Sequence, residues 1–287
     1  MSISGKAKLA GVIGWPVTHS LSPRLHSYWL AAHAIDGAYV PLPVAKEDFA
    51  RVIGALRRAG FVGVNVTVPH KEAAFALAHE LGASALAAGA VNLLLFRQDG
   101  RIEGRNTDAG GLAASLQEVL GKNALTGKSA VLLGAGGAAR AAVLALADIG
   151  ARDIRIVTRD VKRGETLARE LSAKVQAVLK TFVWDRWADA AKDASLLVNA
   201  TSAGMTGAQA LNLPLDPLPV NAAVCDLVYN PLETDLLRRA QASGHRTIDG
   251  LGMLMYQAVP AFEAFYGEAP KVNPALRAEL KKGLRGG

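Results

Sequence analysis

A short apolar run, Ala130-Val131-Leu132-Leu133, leads straight into Gly134-Ala135-Gly136-Gly137-Ala138-Ala139 and then into an alanine-rich stretch of helical character. Strand, glycine-rich turn and helix in that order are the context a G-x-G-x-x-G/A fingerprint requires, and they point the surrounding chain to a doubly wound α/β unit. Gly134 permits the tight turn, Gly136 lets the backbone approach a pyrophosphate, and Ala139 is small enough for close helix–strand packing. The free N–H groups at the helix start, Gly137 and Ala138, suit phosphate oxygens. The flanking sequence keeps the rhythm. It predicts a helix over Gly137–Ile149, a strand over Asp153–Thr158, a helix over Lys162–Leu171, and strands over Ser195–Asn199 and Ala223–Val228.

A dinucleotide site for NAD places an acid at the end of the second strand, where it accepts from the ribose 2′-hydroxyl. Here that position reads Thr158-Arg159, followed by Lys162 and Arg163. Such a cluster suits a 2′-phosphate, with charge-assisted bonds worth about 1.5–3 kcal/mol each. Asp160 opposes it, by roughly 4 kcal/mol if its carboxylate stood about 4 Å from the phosphate at an effective dielectric of 20. Three cations outweigh one acid provided Asp160 faces away, so NADP(H) is the expected cofactor. The bland alternative makes the same residues a solvated first helical turn, with Asp160 as its cap.

A separate alternation runs through the first hundred residues. Strands are predicted near Lys8–Ile13, Tyr39–Val44 and Phe61–Thr67, and helices from Pro23, over Glu47–Ala59 and over Glu72–Leu81. A hairpin is expected where Ala90–Phe96 and Arg101–Thr107 flank Asp99-Gly100, at the edge of a mainly parallel sheet. In Asn65-Val66-Thr67-Val68-Pro69-His70-Lys71 the strand alternation turns Asn65 and Thr67 to one face. Pro69 ends the strand, and Lys71 opens a helix whose positive dipole end disfavours a cation. That placement suits chemistry, although a solvated surface lysine is the plain alternative. The loop Gly14 to Pro23 carries Ser20 and Ser22, two hydroxyls able to hold a small carboxylate. Ser22 before Pro23 also reads as an ordinary N-cap.

At 287 residues and 51% hydrophobic content the chain can build two cores. One cysteine, Cys225, excludes an intramolecular disulfide and an all-cysteine metal site, is expected in a buried strand, and fits a reducing cytoplasm. No metal site is expected. The N-terminus has no long apolar core and no apolar run reaches about 18 residues, so neither a signal peptide nor a membrane span is expected. The +7 charge is scattered with few aromatics among it, which fits anionic small ligands better than nucleic acid.

Eight blocks together resemble the shikimate dehydrogenase family, in order and at its spacing. They are Gly14 to His26, Asn65 to Lys71, Gly89-Ala90-Val91-Asn92, Gly104-Arg105-Asn106-Thr107-Asp108, Gly134 to Ala139, Asn199-Ala200-Thr201-Ser202, Asp226 to Thr234, and Gly250-Leu251-Gly252-Met253-Leu254 with Gln257. The resemblance implies an N-terminal three-layer α/β substrate domain over residues 1–108, completed by C-terminal helices in 251–287, and a Rossmann-type NADP domain over 109–250. It implies reversible NADPH-dependent reduction of 3-dehydroshikimate to shikimate, with Lys71 as the catalytic lysine and Asp108 as the carboxylate beside it. Ser20 and Ser22 would hold the substrate carboxylate, Thr67, Asn92 and Gln257 the ring hydroxyls, and Tyr229 the carboxylate end of the pocket. Thr201, Leu227, Gly250 and Met253 would line the nicotinamide half.

Asp108 also reads as the N-cap of a helix over Ala109–Leu120. Leu93 stands where the family commonly has threonine, and Thr158 and Asp160 depart from its usual residues around the cofactor arginine. Serine at position 22, where quinate-using relatives often carry threonine, favours shikimate. A quinate/shikimate or aminoshikimate dehydrogenase is the alternative enzyme, and a non-catalytic NADP-binding regulatory protein the alternative of another class. Small molecules are the expected partners, with no nucleic acid or membrane, for a monomer or homodimer.

Overall fold

The structure, a computed structural model, describes residues 3–285. It is mixed α/β and divides into two compact units, Met1–Thr107 with Met255–Gly287, and Asp108–Leu254. The elements of the first unit up to residue 107 are β1 (Lys8–Gly14), α1 (Ser22–Ala32), β2 (Gly37–Pro43), α2 (Phe49–Arg58), β3 (Phe61–Val66), α3 (Lys71–Leu77), β4 (Glu80–Leu81), α4 (Ala83–Ala88), β5 (Leu93–Phe96) and β6 (Ile102–Arg105). Its sheet runs β2-β1-β3-β5-β6-β4. The strands β2, β1 and β3 are parallel, while β5 runs antiparallel to both β3 and β6.

Side-chain alternation on β3 separates the two faces. Val64 and Val66 join Phe49 and Ile53 of α2, Ala74 of α3 and Ala85 of α4 in one buried cluster. Asn65 turns to the opposite face, where its Oδ1 accepts from the Tyr39 hydroxyl at 2.8 Å. Around Tyr39 a set of rings interlocks. His26 stacks on it at 3.9 Å between centroids, and Phe262 meets His26 at 5.8 Å and Trp29 at 5.4 Å.

Two expectations in this unit need correcting. The helix predicted over Glu72–Leu81 stops at Leu77. Ala78 turns extended at ψ 134°, the His79 N–H donates to the Ile102 carbonyl at 2.8 Å, and Glu80–Leu81 pair in parallel with Glu103–Gly104. A free strand edge on β6 offered hydrogen bonds that outcompeted the helix propensity of the alanine-rich run. For the same reason the Asp99-Gly100 hairpin forms but is not the sheet edge; β4 covers it.

The second unit contains α5 (Asp108–Leu120), β7 (Ser129–Leu133), α6 (Gly137–Asp148), β8 (Asp153–Thr158), α7 (Val161–Ser172), β9 (Val178–Val183), α8 (Trp187–Ala191), β10 (Ala194–Asn199), β11 (Ala223–Asp226), α9 (Asp235–Ala242) and β12 (Arg246–Ile248). Its six strands are all parallel in the order β12-β11-β10-β7-β8-β9. Helices cover both faces, which is why the central strands are near-continuous apolar runs. Ala130, Leu132, Ile154 and Ile156 enter one core, and Val131, Leu133 and Val157 enter the other. Cys225 lies buried in β11, as expected. Burial pushes its thiol well above the usual range.

The last two helices are α10 (Leu251–Tyr266) and α11 (Pro274–Arg285). The start of α10 belongs to the second unit, where Gly252 packs so closely on Ser115 of α5 that a Cβ would lie 2.2 Å from its Oγ. Among the described residues no helix is long and apolar enough to cross a membrane, and no group of three or more His, Cys, Asp or Glu is arranged to hold a metal ion.

Candidate active site and cofactor cleft

In the second unit the strand order reverses between β7 and β10, and a parallel sheet leaves a crevice at the carboxyl ends of its strands at such a point. A cleft of about 320 Å³ opens there, lined by the turns that follow successive strands. Gly134, Ala135 and Gly136 come after β7, Thr158, Arg159, Asp160 and Arg163 from the β8–α7 turn and the start of α7, Trp184 after β9, and Ala200, Thr201 and Ser202 after β10. Gly134 has φ +102°, a conformation an L side chain rarely adopts, and a Cβ there would press on Thr201 Cγ2 at 3.0 Å. Its glycine is therefore required by both backbone and neighbour.

The donor set fits a dinucleotide with a 2′-phosphate. Gly136 is the N-cap of α6 and supplies no side-chain cap, so no such cap claims the first-turn N–H groups. The Arg163 guanidinium lies 3.8 Å from where a Gly136 Cβ would be. Asp160 lines the cleft as well, but its Oδ1 accepts from the Arg163 backbone N–H at 3.1 Å as the N-cap of α7. Asp160 therefore does not face away from the cleft, the condition set for it above; its carboxylate lies there engaged by the helix start. Thr158 shapes the same turn, its Oγ1 accepting from the Asp160 N–H at 3.2 Å.

Lys162, Leu227, Gly250 and Met253, together with Gly137 and Ala138, are not among the residues lining this cleft. Gly250 and Leu227 are backbone neighbours, since a Cβ on Gly250 would lie 2.3 Å from the Leu227 carbonyl oxygen. Met253 packs on the apolar cluster beneath α5 and α6. Tyr229 belongs to the loop between β11 and α9. That loop is fastened from within. Asp226 Oδ1 accepts from Asn199 Nδ2 at 2.9 Å and from the Val228 N–H at 3.0 Å, and its Oδ2 accepts from the Thr234 hydroxyl at 2.7 Å. Asn199 Oδ1 accepts in turn from the Thr201 hydroxyl at 2.7 Å, so the buried carboxylate holds a cleft wall in place. Burial raises the Asp226 carboxyl above its ordinary value, against those three hydrogen bonds, which pull it down.

In the first unit a polar array surrounds the end of β3. The Thr67 N–H donates to Ile13 at 2.9 Å, and Gly14 sits so close that a Cβ there would lie 2.4 Å from Thr67 Cγ2. The Lys71 carbonyl accepts from the Val91 N–H at 3.0 Å, which ties the start of α3 to the residue before Asn92. Asn92 is buried and holds Thr107 twice, through Nδ2 to Oγ1 at 2.9 Å and through Oδ1 from the Thr107 N–H at 2.8 Å. The Thr107 hydroxyl then reaches Gln257 Oε1 at 3.3 Å. Asn92, Thr107 and Gln257 are thereby one connected group.

Ser20 and Ser22 lie together, the Ser22 N–H donating to Ser20 Oγ at 3.3 Å. Ser22 is not the N-cap expected from its place before Pro23. The cap is Leu21, and Ser22 is the first residue of α1, which leaves its hydroxyl to hydrogen-bond Tyr39. Asp108 likewise is the first residue of α5 rather than a cap preceding it. Leu93 is fully buried, so the departure from threonine there changes packing.

Two family profiles match the chain, the shikimate dehydrogenase substrate binding domain over residues 12–94 and shikimate / quinate 5-dehydrogenase over residues 115–206. A protein of Paramagnetospirillum magneticum named shikimate dehydrogenase (NADP(+)) is 52% identical over 276 residues, 96% of this chain and 99% of its own. The chain belongs to the shikimate dehydrogenase family. Solved structures of the family share its architecture over nearly the whole length. A shikimate dehydrogenase in complex with NADP+ is 34% identical with a TM-score of 0.91, covering 99% of this chain and 98% of that one. The shikimate 5-dehydrogenase of Thermus thermophilus, in complex with NADP(H) and shikimate, is 36% identical with a TM-score of 0.83, covering 97% and 98%.

Proposed function

We propose that the protein is an NADP-dependent shikimate dehydrogenase, reversibly reducing 3-dehydroshikimate to shikimate on the route to chorismate and the aromatic amino acids. The observation that supports this reading is a set of polar side chains in the first unit: Ser20 Oγ bonded to the Ser22 N–H, Thr67 after β3, and the bonded group Asn92, Thr107 and Gln257. A small cyclic acid bearing one carboxylate and several hydroxyls has the complementary pattern of acceptors and donors. Ser20 and Ser22, aided by Tyr229, would take the carboxylate, and Thr67, Asn92 and Gln257 the hydroxyls.

NADPH, when bound, supplies the hydride that the carbonyl carbon receives. Gly134, Ala135, Gly136, Gly137 and Ala138 would hold its pyrophosphate, and Thr158, Arg159, Lys162 and Arg163 its 2′-phosphate. Thr201, Leu227, Gly250 and Met253 would serve the nicotinamide half. A carbonyl oxygen that becomes an alkoxide needs a proton donor within about 3 Å and a group to orient that donor. Lys71 would donate the proton, with Asp108 as the carboxylate that works with it. In the reverse direction the same pair accepts the proton of the hydroxyl.

The protein would work on small molecules in the cytoplasm, as a monomer or a two-fold dimer, with the first unit serving the substrate and the second the cofactor. Absorbance at the reduced-nicotinamide band tests the reading directly, with shikimate plus NADP+, then NAD+, then quinate in place of shikimate. Fast reduction of NADP+ by shikimate is expected. Dominant quinate activity would displace the assignment, and no reduction with any pair would end it.

A further inference from the structure

Trp184 lines the cofactor cleft, yet neither the fingerprint nor the basic cluster gives it a task. The other lining residues are glycine, alanines, threonines and a serine besides Arg159, Arg163 and Asp160, so Trp184 is the one aromatic face among them. Its position follows from the sheet. Val183, the last residue of β9, pairs with Thr158 at the end of β8, and Trp184 is the next residue along. The indole therefore stands beside the turn that carries Arg159. A 2′-phosphate held by those arginines leaves the adenine of the same nucleoside only a few covalent bonds away, so the base must lie in this end of the cleft.

The two neighbouring tryptophans differ in role. Trp187 is buried, its Nε1 donating to the Pro214 carbonyl at 2.8 Å, and serves as a core anchor. Trp184 is only half-buried, with part of its ring packed on the apolar cluster of Val131, Leu133 and Val157. That packing restrains the indole without consuming all of its surface, which is what a stacking platform requires. Resting on the cofactor reading given above, we propose that Trp184 stacks the adenine ring of NADP(H) while Arg159 and Arg163 take the 2′-phosphate.

The test uses the full chain and adenosine 2′,5′-bisphosphate, which carries the base and the 2′-phosphate but no nicotinamide. Binding is followed by calorimetry and by quenching of tryptophan fluorescence. Loss of a base–aromatic stack should weaken this probe by about tenfold or more in Trp184→Ala. Trp184→Phe should restore most of the affinity, while Trp184→Leu, apolar but without a π face, should not. Quenching by the probe should shrink in all three variants. Unchanged affinity in Trp184→Ala, or wild-type affinity in Trp184→Leu, would overturn the stacking role while leaving the dehydrogenase reading intact. Failure of the unsubstituted protein to bind the probe would overturn the NADP reading and this one together.

Discussion

Lowering the pH from 7 to 5 should destabilise the first unit through a single imidazole, His26. It is fully buried, neither ring nitrogen has a hydrogen-bond partner among the described residues, and it is stacked between aromatic neighbours. Burial pushes its pKa down from 6.5 to about 3. Between those two values the unfolded chain binds a proton that the folded chain does not, so stability rises with pH and is lost as pH falls below 6.5. Linkage with those two pKa values gives a loss of about 2 kcal/mol between pH 7 and pH 5, growing by about 1.4 kcal/mol per further unit down to the folded value. His26→Phe keeps a ring against Tyr39 but cannot titrate. Urea unfolding at pH 7, 6 and 5 and constant ionic strength would compare the slopes of stability against pH, so any packing cost of the larger ring cancels. The variant's loss over that range should be smaller than wild type's by about 2 kcal/mol. Parallel slopes would refute the claim that His26 is held neutral.

Gly14→Ala places a methyl group 2.4 Å from Thr67 Cγ2. It should raise KM for shikimate several-fold with KM for NADP+ unchanged, and an unchanged shikimate KM would remove Thr67 from the substrate site. If Arg163 takes the 2′-phosphate as proposed, Arg163→Ala should raise KM for NADPH about tenfold or more while that for NADH barely moves. Equal losses with both cofactors would put Arg163 elsewhere. A Cβ on Gly164 would lie 2.7 Å from Thr181 Cγ2 and 2.8 Å from Thr158 Cγ2. Gly164→Ala should therefore cost about 1–3 kcal/mol in thermal or urea unfolding, and wild-type stability would show that α7 can shift off the sheet.

The alternation of strands and helices was legible because the central parallel strands of the second unit, β7, β8 and β10, are buried on both faces and read as near-continuous apolar runs. The fingerprint was legible because glycine at position 134 answers a local backbone demand, φ +102°. What escaped depended on partners distant in sequence. The end of α3 at Leu77 is set by β6, which lies beyond residue 101. The release of Ser22 from capping is visible only once Tyr39 stands opposite it. β9 and β12 are edge strands, one alternating and one of three residues, and give weak signals. Trp184 carries no motif of its own; its one signal is that it directly follows the strand next to the second strand of the fingerprint unit.

The role of Lys71 is the claim on which the mechanism turns. Lys71→Ala should be measured twice, for turnover of shikimate with NADP+ and for binding of NADPH by fluorescence. General acid–base assistance is worth about 10²–10⁴-fold, so turnover should fall by that factor while the NADPH dissociation constant stays within about twofold. Turnover comparable to the unsubstituted protein, with the cofactor still bound, would contradict the account.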